Sequence, residues 1–239
     1  MTSLIDRTVA AHGGLARWNE LSTVRAHLLN GGITWALKGQ PDTLSDVTVT
    51  VDLHRQHTSH SPVGTPGTRS DFSGDHIAIT DAEGNVIEER HHPRDSFSAH
   101  TLETHWDRLQ LAYFAGYAMW TYLTAPFSFT TEGFTTEELG PWKENGETWE
   151  RLKVTFPESI HTHNAEQVLY IGDDGLLRRH DYEAEIIKGG PAAHYPSEYR
   201  EFDGIMVPTR RRVHSANPDG SVNEEPLLVS VDLDHVSFS

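Results

Sequence analysis

The side chains best placed to do chemistry fall between Ile160 and His214. His161-Thr162-His163 sets two imidazoles two residues apart. On a strand both would point to one face, about 6.5–7 Å apart along the chain. That spacing can suit a shared metal if His180 or His194 supplies a third ligand; the alternative is a pair of polar loop histidines. Downstream, LLRRHDYEAEI puts Leu176, Arg178, His180, Tyr182, Ala184 and Ile186 on one face of a strand. Arg179, Asp181, Glu183 and Glu185 take the other, which reads as the wet outer face. If the first face looks into a cavity, His180 could act as a general acid or base near neutral pH. Tyr182 would orient a polar ligand group, and His194, Glu198 and Tyr199 on the next strand could complete the cluster. The same residues could equally form a hydrogen-bonded His–Tyr pair that secures a core. Arg178, on the same face, would end the cavity at its rim or bind an anionic ligand group. Arg210-Arg211-Arg212 alternates across its strand, so Arg211 faces away from its neighbours. Surface pairing with Asp181, Glu183 or Glu185 is the expectation there, and such pairs are weak.

Composition narrows the classes. Lys+Arg of 19 against Asp+Glu of 35 gives a net charge of -16, which repels phosphate backbones and anionic membranes. Neither nucleic-acid binding nor membrane insertion is expected. The chain has no cysteine, so disulfides, thiolate metal sites and thiol catalysis are excluded. Nucleophile-elbow, P-loop, dinucleotide-fingerprint and zincin motifs are all missing, and no cofactor is expected. The opening MTSLIDRTVAAHGG has neither a basic nor an apolar leader segment, so a soluble, cytoplasmic protein is expected.

The elements that must position these residues follow from periodicity. Ser3 or Thr2 can cap an N-terminal helix over about residues 3–18, with a break at Gly13-Gly14. Period-two alternation begins after Leu21. Asn30-Gly31-Gly32 reads as a hairpin turn into Ile33, Trp35 and Leu37, and Val47, Val49, Val51 and Leu53 read as a half-buried strand. His54, His57 and His60 recur every three residues in a polar loop or strand edge, where a solvated stretch is expected and a metal cluster is the alternative. A second hairpin joins Ile77-Ile79 to Val86-Ile87. From about Thr101 to Leu123 the text is helical and apolar nearly all round, so the helix is buried and ends at Pro126. Trp106, Tyr113, Tyr117 and Trp120 on it serve as core or as an aromatic cavity wall. Residues 127–149 read as a lid or irregular loop with short strand pieces, capable of covering a cavity mouth. Strands return from Glu150, with turns at Gly172–Gly175, Gly189–Pro191 and Asp203-Gly204. One domain of about ten antiparallel strands wrapping a hydrophobic helix accounts for the whole pattern.

The strings AAHGGLARWNELSTVRA, GLLRRHDY and REFDGIMVPTRRR resemble a group of bacterial proteins whose fold is similar to the lipoprotein-carrier (LolA-like) superfamily. The resemblance covers most of the chain. It implies a mainly β (α+β) fold, an incomplete curved antiparallel half-barrel closed by helices over an apolar cavity, and acyl chains as cargo. It carries no catalytic residues. The first expectation is therefore a binder of a hydrophobic or amphipathic small molecule, lined by Trp106, Tyr113, Tyr117, Trp120, His163, Arg178 and Tyr199. The alternatives are a cofactor-independent lyase, isomerase or hydrolase using His180, Tyr182 and His194, and a metalloprotein using His161 and His163.

Overall fold

In the computed structural model, which describes residues 2–239, the alternating segments become one large sheet. Before the long helix run β1 (Thr23–Gly31), β2 (Asp46–Asp52), β3 (Thr58–Ser61), β4 (Arg69–Ser73), β5 (His76–Thr80) and β6 (Val86–His91). After it come β7 (Thr135–Glu144), β8 (Glu147–Thr155), β9 (Glu166–Ile171) and β10 (Leu177–Glu183). The chain finishes with β11 (Pro191–Phe202), β12 (Ile205–Ala216), β13 (Val222–Asn223) and β14 (Val229–Phe238). The sheet order is β6-β5-β4-β3-β2-β1-β14-β12-β11-β10-β9-β8-β7, with β13 on β12 to one side of that path. All pairings are antiparallel, and the sheet curves without closing. The first and last strands lie side by side, Val24 opposite Phe238. Val24, Ala26, Val47, Val49 and Val51 lose essentially all solvent contact on the concave face, each valine contributing roughly 1.5–3 kcal/mol of burial.

The concave face holds one long helix. Its neighbours in the chain are three shorter ones: α1 (Leu4–Ala11), α2 (Gly14–Trp18) and α3 (Ile33–Leu37). Ser3 caps α1 by accepting from the Asp6 amide at 3.2 Å. The α1–α2 break falls at Gly13, whose φ of 122° suits glycine. A Cβ there would lie 2.3 Å from the Gly204 carbonyl, so only glycine lets the helix end dock on the β11–β12 turn.

The central helix, α4 (Arg108–Thr124), buries every residue except Arg108 and Ala115. It starts later than the expected Thr101. Asp107 accepts the Gln110 amide at 2.8 Å while the Gln110 side chain accepts the Asp107 amide at 3.0 Å. That reciprocal cap fixes the first turn, and residues 101–107 stay in loops. At about 25 Å the helix runs along the cavity of the sheet, and Gly116 lets it approach Phe72 where a Cβ would lie 2.7 Å from the ring.

Two local expectations are corrected. Asn30-Gly31-Gly32 does not turn a hairpin. Instead the Ile33 and Thr34 amides bond the Leu227 and Leu228 carbonyls, both at 3.1 Å, and Trp35 Nε1 donates to the Gly31 carbonyl at 2.9 Å. These bonds wind residues 33–37 into α3, and β1 pairs with β2 and β14. Residues 127–149 are not an irregular lid. A 3-10 turn (Phe127–Thr130) leads into the β7–β8 hairpin, whose tip Asn145-Gly146 has φ of 52° and 81°, the two-residue turn that matches strand twist.

Candidate functional site

A cavity of about 200 Å³ opens between α4 and the sheet. Leu111, Phe114 and Met119 line it from the helix, and Leu28, Val213 and Val231 from the strands. Its rim is formed by α3 and the Gln40-Pro41 loop, facing Leu102, Ile187 and Gly189-Gly190. Ile33 is 44% exposed there, an apolar side chain held in water beside the rim. Lys38, just after α3, ties the rim together. It is fully buried, and its ammonium donates to the carbonyls of Thr101 at 3.4 Å, Leu102, and Ile187 at 3.2 Å. The Trp106 ring lies 5.3 Å from the same nitrogen, and burial pulls the Lys38 pKa down.

At its inner end the cavity turns polar. Tyr122 and Tyr182 both line it, with their hydroxyls 2.6 Å apart. The Tyr122 hydroxyl also meets His163 Nε2 at 3.0 Å, and the His163 ring stacks on Tyr182 at 4.1 Å. Behind this pair the same inner face carries His194 on β11 and Arg211 on β12. Arg211 Nη2 donates to the Tyr122 carbonyl at 2.7 Å, one of the carbonyls the end of α4 leaves open. Its Nη1 approaches His194 Nε2 at 3.4 Å, its guanidinium sits 5.2 Å from the Tyr122 ring, and Nε has no protein partner. Among the described residues no carboxylate hydrogen-bonds it. Burial depresses the Arg211 pKa.

All the inner-face histidines are held neutral by burial. His180 is pushed down to about 3, and the Arg211 cation adds to this. His12 falls to about 4, and His163 and His194 fall well below their usual value. The phenols move the other way, with Tyr122 pushed up to about 12. The site is therefore built of neutral rings and one cation. It can donate hydrogen bonds and bury apolar groups. A base of ordinary imidazole strength is not among its parts.

No protein-family model matches the chain, and none of the curated proteins is similar to it in sequence. Its backbone does have solved counterparts. A DUF1329 family protein from Desulfovibrio piger superposes with a TM-score of 0.54 at 13% identity, covering 99% of this chain and 92% of the other. A Vibrio parahaemolyticus structure described as an outer membrane lipoprotein-sorting protein domain gives 0.55 at 12%, covering 99% and 91%. A LolA superfamily protein from Nitrosomonas europaea gives 0.50 at 13%, covering 94% and 91%. The fold is LolA-like.

Within this LolA-like frame the residues singled out by sequence separate. Tyr182 lines the cavity. His180 packs edge-on against Tyr182, ring centroids 5.1 Å apart, and gives its Nε2 proton to Gln167 Oε1 at 2.7 Å. His194 lies opposite His180 across the ladder. Trp106, Tyr113, Tyr117 and Trp120 fill core beyond the lining; Trp120 Nε1 donates to the Asp52 and Arg55 carbonyls at 3.1 and 2.8 Å. Tyr199 donates to the Leu177 carbonyl at 3.0 Å. His161 and His163 sit in the β8–β9 loop rather than on a strand, and they part: His161 Nδ1 meets the Tyr113 hydroxyl at 2.8 Å, while His163 meets Tyr122. They share no metal geometry. The metal-type ligands the described residues do bring together are His76, Glu89 and His91, within 4.8 Å of one another on the β5–β6 hairpin.

The three arginine expectations are also revised. A register shift between Leu177 and Arg179 takes Arg178 off the His180 face, and it pairs with Asp174 at 2.6 Å beside Gly172. Arg179 is not wet but fully buried on the convex side. Arg211, expected at the surface with acids, is the inner-face residue; Arg210 pairs with Glu198 and Arg212 with Asp232. His54, His57 and His60 diverge as well, because β3 begins at Thr58 and turns His60 into the cavity wall.

Sequence reasoning missed Tyr122, Gln167 and Lys38. A signal for Tyr122 was present: a helix apolar on all sides leaves a tyrosine hydroxyl no water, so the hydroxyl must mark an internal polar spot.

Proposed function

We propose that the protein binds a hydrophobic or amphipathic small molecule, its chain in the cavity between α4 and the concave sheet. The observation that carries this is the lining: a cleft of about 200 Å³ walled mostly by Leu, Ile, Val, Ala, Phe and Met side chains, with a few polar groups among them and the Tyr122–Tyr182 hydroxyl pair at the inner end. Apolar walls with a few convergent polar groups are the usual build of a small-molecule site. The similarity to a lipoprotein-sorting domain and to a LolA superfamily protein supports a lipid-like chain as the apolar part. The exposed Ile33 at the rim and the small residues Gly189 and Gly190 opposite give a threading chain a route past α3. A cytoplasmic site of action belongs to the same proposal and is tested by cell fractionation.

The test is native mass spectrometry of the protein purified without detergent. A population heavier than the polypeptide by the mass of an amphiphile, released on denaturation, is the expected result. A protein of polypeptide mass that also takes up no added fatty acid counts against it.

A further inference from the structure

The inner end of the cavity holds more hydrogen-bond donors than the protein has acceptors for them. Neutral His163, Tyr122 and Tyr182 carry one hydrogen each, three in all, and the two links among them use only two. If His163 Nε2 accepts, the surplus hydrogen sits on Nδ1, which is buried with no protein partner. A buried orphan donor is destabilising, because it has given up its water partner and gained nothing in return. If His163 Nε2 donates instead, each hydroxyl can pass its hydrogen forward, and the surplus arrives on the Tyr182 hydroxyl at the cavity wall. Arg211 donates to His194 Nε2, which obliges His194 to carry its own hydrogen on Nδ1, another buried atom without a partner. Arg211 Nε makes a third. Among the described residues no Asp or Glu is buried, and none hydrogen-bonds Arg211, whose partners are the Tyr122 carbonyl and His194.

We propose that the Tyr182–Tyr122 end of the cavity is a headgroup subsite for a bare hydrogen-bond acceptor, so that the ligand enters acyl-end polar group first and carries a carboxylate, or failing that an ester carbonyl. The inference rests on the cavity-binding reading and sharpens it to a ligand class. An acceptor on the Tyr182 hydroxyl takes up the surplus hydrogen, lets His163 keep its hydrogen on the bonded nitrogen, and places negative charge or its partial equivalent in front of Arg211. A cationic head meets donors and a like charge. Selectivity among heads of equal chain length follows, because a mismatched head leaves donors unpaired in a dry site.

The experiment uses the full chain and a neutral apolar reporter, N-phenyl-1-naphthylamine, displaced by dodecanoic acid, its methyl ester and dodecylamine at pH 7.5. The acid and the ester are expected to displace the reporter at concentrations at least tenfold below the amine. Tyr182→Phe should weaken the acid and the ester at least threefold relative to the reporter, with the urea midpoint near wild type. Arg211→Gln, with its fold checked by circular dichroism, should weaken the acid and leave the ester in place. Equal displacement by acid and amine in the wild type overturns the headgroup subsite while leaving the apolar cavity standing. So do acid and ester affinities that Tyr182→Phe leaves unchanged. No saturable reporter uptake at all overturns the cavity reading, and the subsite with it.

Discussion

Two buried arginines of one sheet, on β10 and β12 with β11 between them, show what structure and function each ask of a charge. Arg179, 0% exposed, faces the convex side. Its Nε and Nη2 take both oxygens of Asp181 at 2.6 and 2.8 Å, and Nη1 takes Glu144 at 2.7 Å. Nη2 adds the Gly220 carbonyl at 3.0 Å, and the rings of Trp142, Tyr170 and Tyr195 surround the guanidinium at 5.0–5.8 Å. Burial opposes its charge, but the hydrogen bonds and charge of Asp181, together with Tyr195 and Tyr170, outweigh it and its pKa rises. Arg211, 5% exposed, faces the concave side. It has one carbonyl, one imidazole nitrogen, an idle Nε and no carboxylate. The first ties β7, β10, β11 and the turn before β13 into one cluster in which two carboxylates share the guanidinium. The second holds the end of α4 behind the two cavity tyrosines and keeps one donor, Nε, unpaired. A saturated charge is a rivet, and an unsaturated one at a cavity end is a place for something else to bind.

Acid separates the two regions most forcefully. His12, His60, His163, His180 and His194 all have folded-state pKa values below 6.5 because burial disfavours their charged forms. Their contribution to stability is complete above pH 6.5 and is lost as pH falls from there toward about 4, where His12 and His60 titrate in the fold. Each costs about 1.4 kcal/mol per pH unit in that window. The Arg179 cluster has no histidine among its hydrogen-bond partners. Circular dichroism from pH 8 to pH 4 should therefore show cooperative unfolding that begins between about pH 6 and 5. A fold unchanged at pH 4 contradicts the dry, neutral inner face.

Removing each guanidinium comes next in size. Arg179→Met strands Glu144 and Asp181 against aromatic rings, which costs about 3–5 kcal/mol. Adding Glu144→Gln and Asp181→Asn should recover more than half of that, since the penalty lies in the unpaired carboxylates. Arg211→Met strands no charge; it opens the Tyr122 carbonyl and relieves a buried cation, so a loss of about 1–3 kcal/mol is expected. Urea unfolding of the variants measures both. An Arg211→Met loss equal to the Arg179→Met loss would erase the distinction between rivet and receptor.

How much of this could be read from residues alone varies by element. Val47, Val49 and Val51 alternate with threonines and are buried in register as alternation requires. The helix apolar on all sides became α4, since only an interior helix tolerates such a surface. Its start was misplaced because Asp107 and Gln110 form a cap whose strength lies in two reciprocal bonds, and serine or threonine earlier in the text carries the same local preference. Asn30-Gly31-Gly32 carries a true turn preference, overridden by bonds to Leu227 and Leu228 almost two hundred residues away. Strand alternation put Arg211 opposite its neighbours, and alternation alone says nothing about which face is inside. The bulge at Leu177–Arg179 then broke parity at the point where Arg178 had been grouped with His180. The histidine cluster was legible as a cluster. Its neutrality comes from burial, a property of the assembled fold.

The claim at the centre of this account is that an apolar ligand occupies the space beside α4, and a titration with the fluorescent fatty acid cis-parinaric acid tests it most directly. Ala115, half-buried on α4, lines the cavity, and Ala115→Trp would fill the cavity from the helix side. The wild type should show saturable fluorescence enhancement that falls at least tenfold in Ala115→Trp, with the urea midpoints alike. Enhancement that is absent in the wild type, or equal in both proteins, would contradict the account.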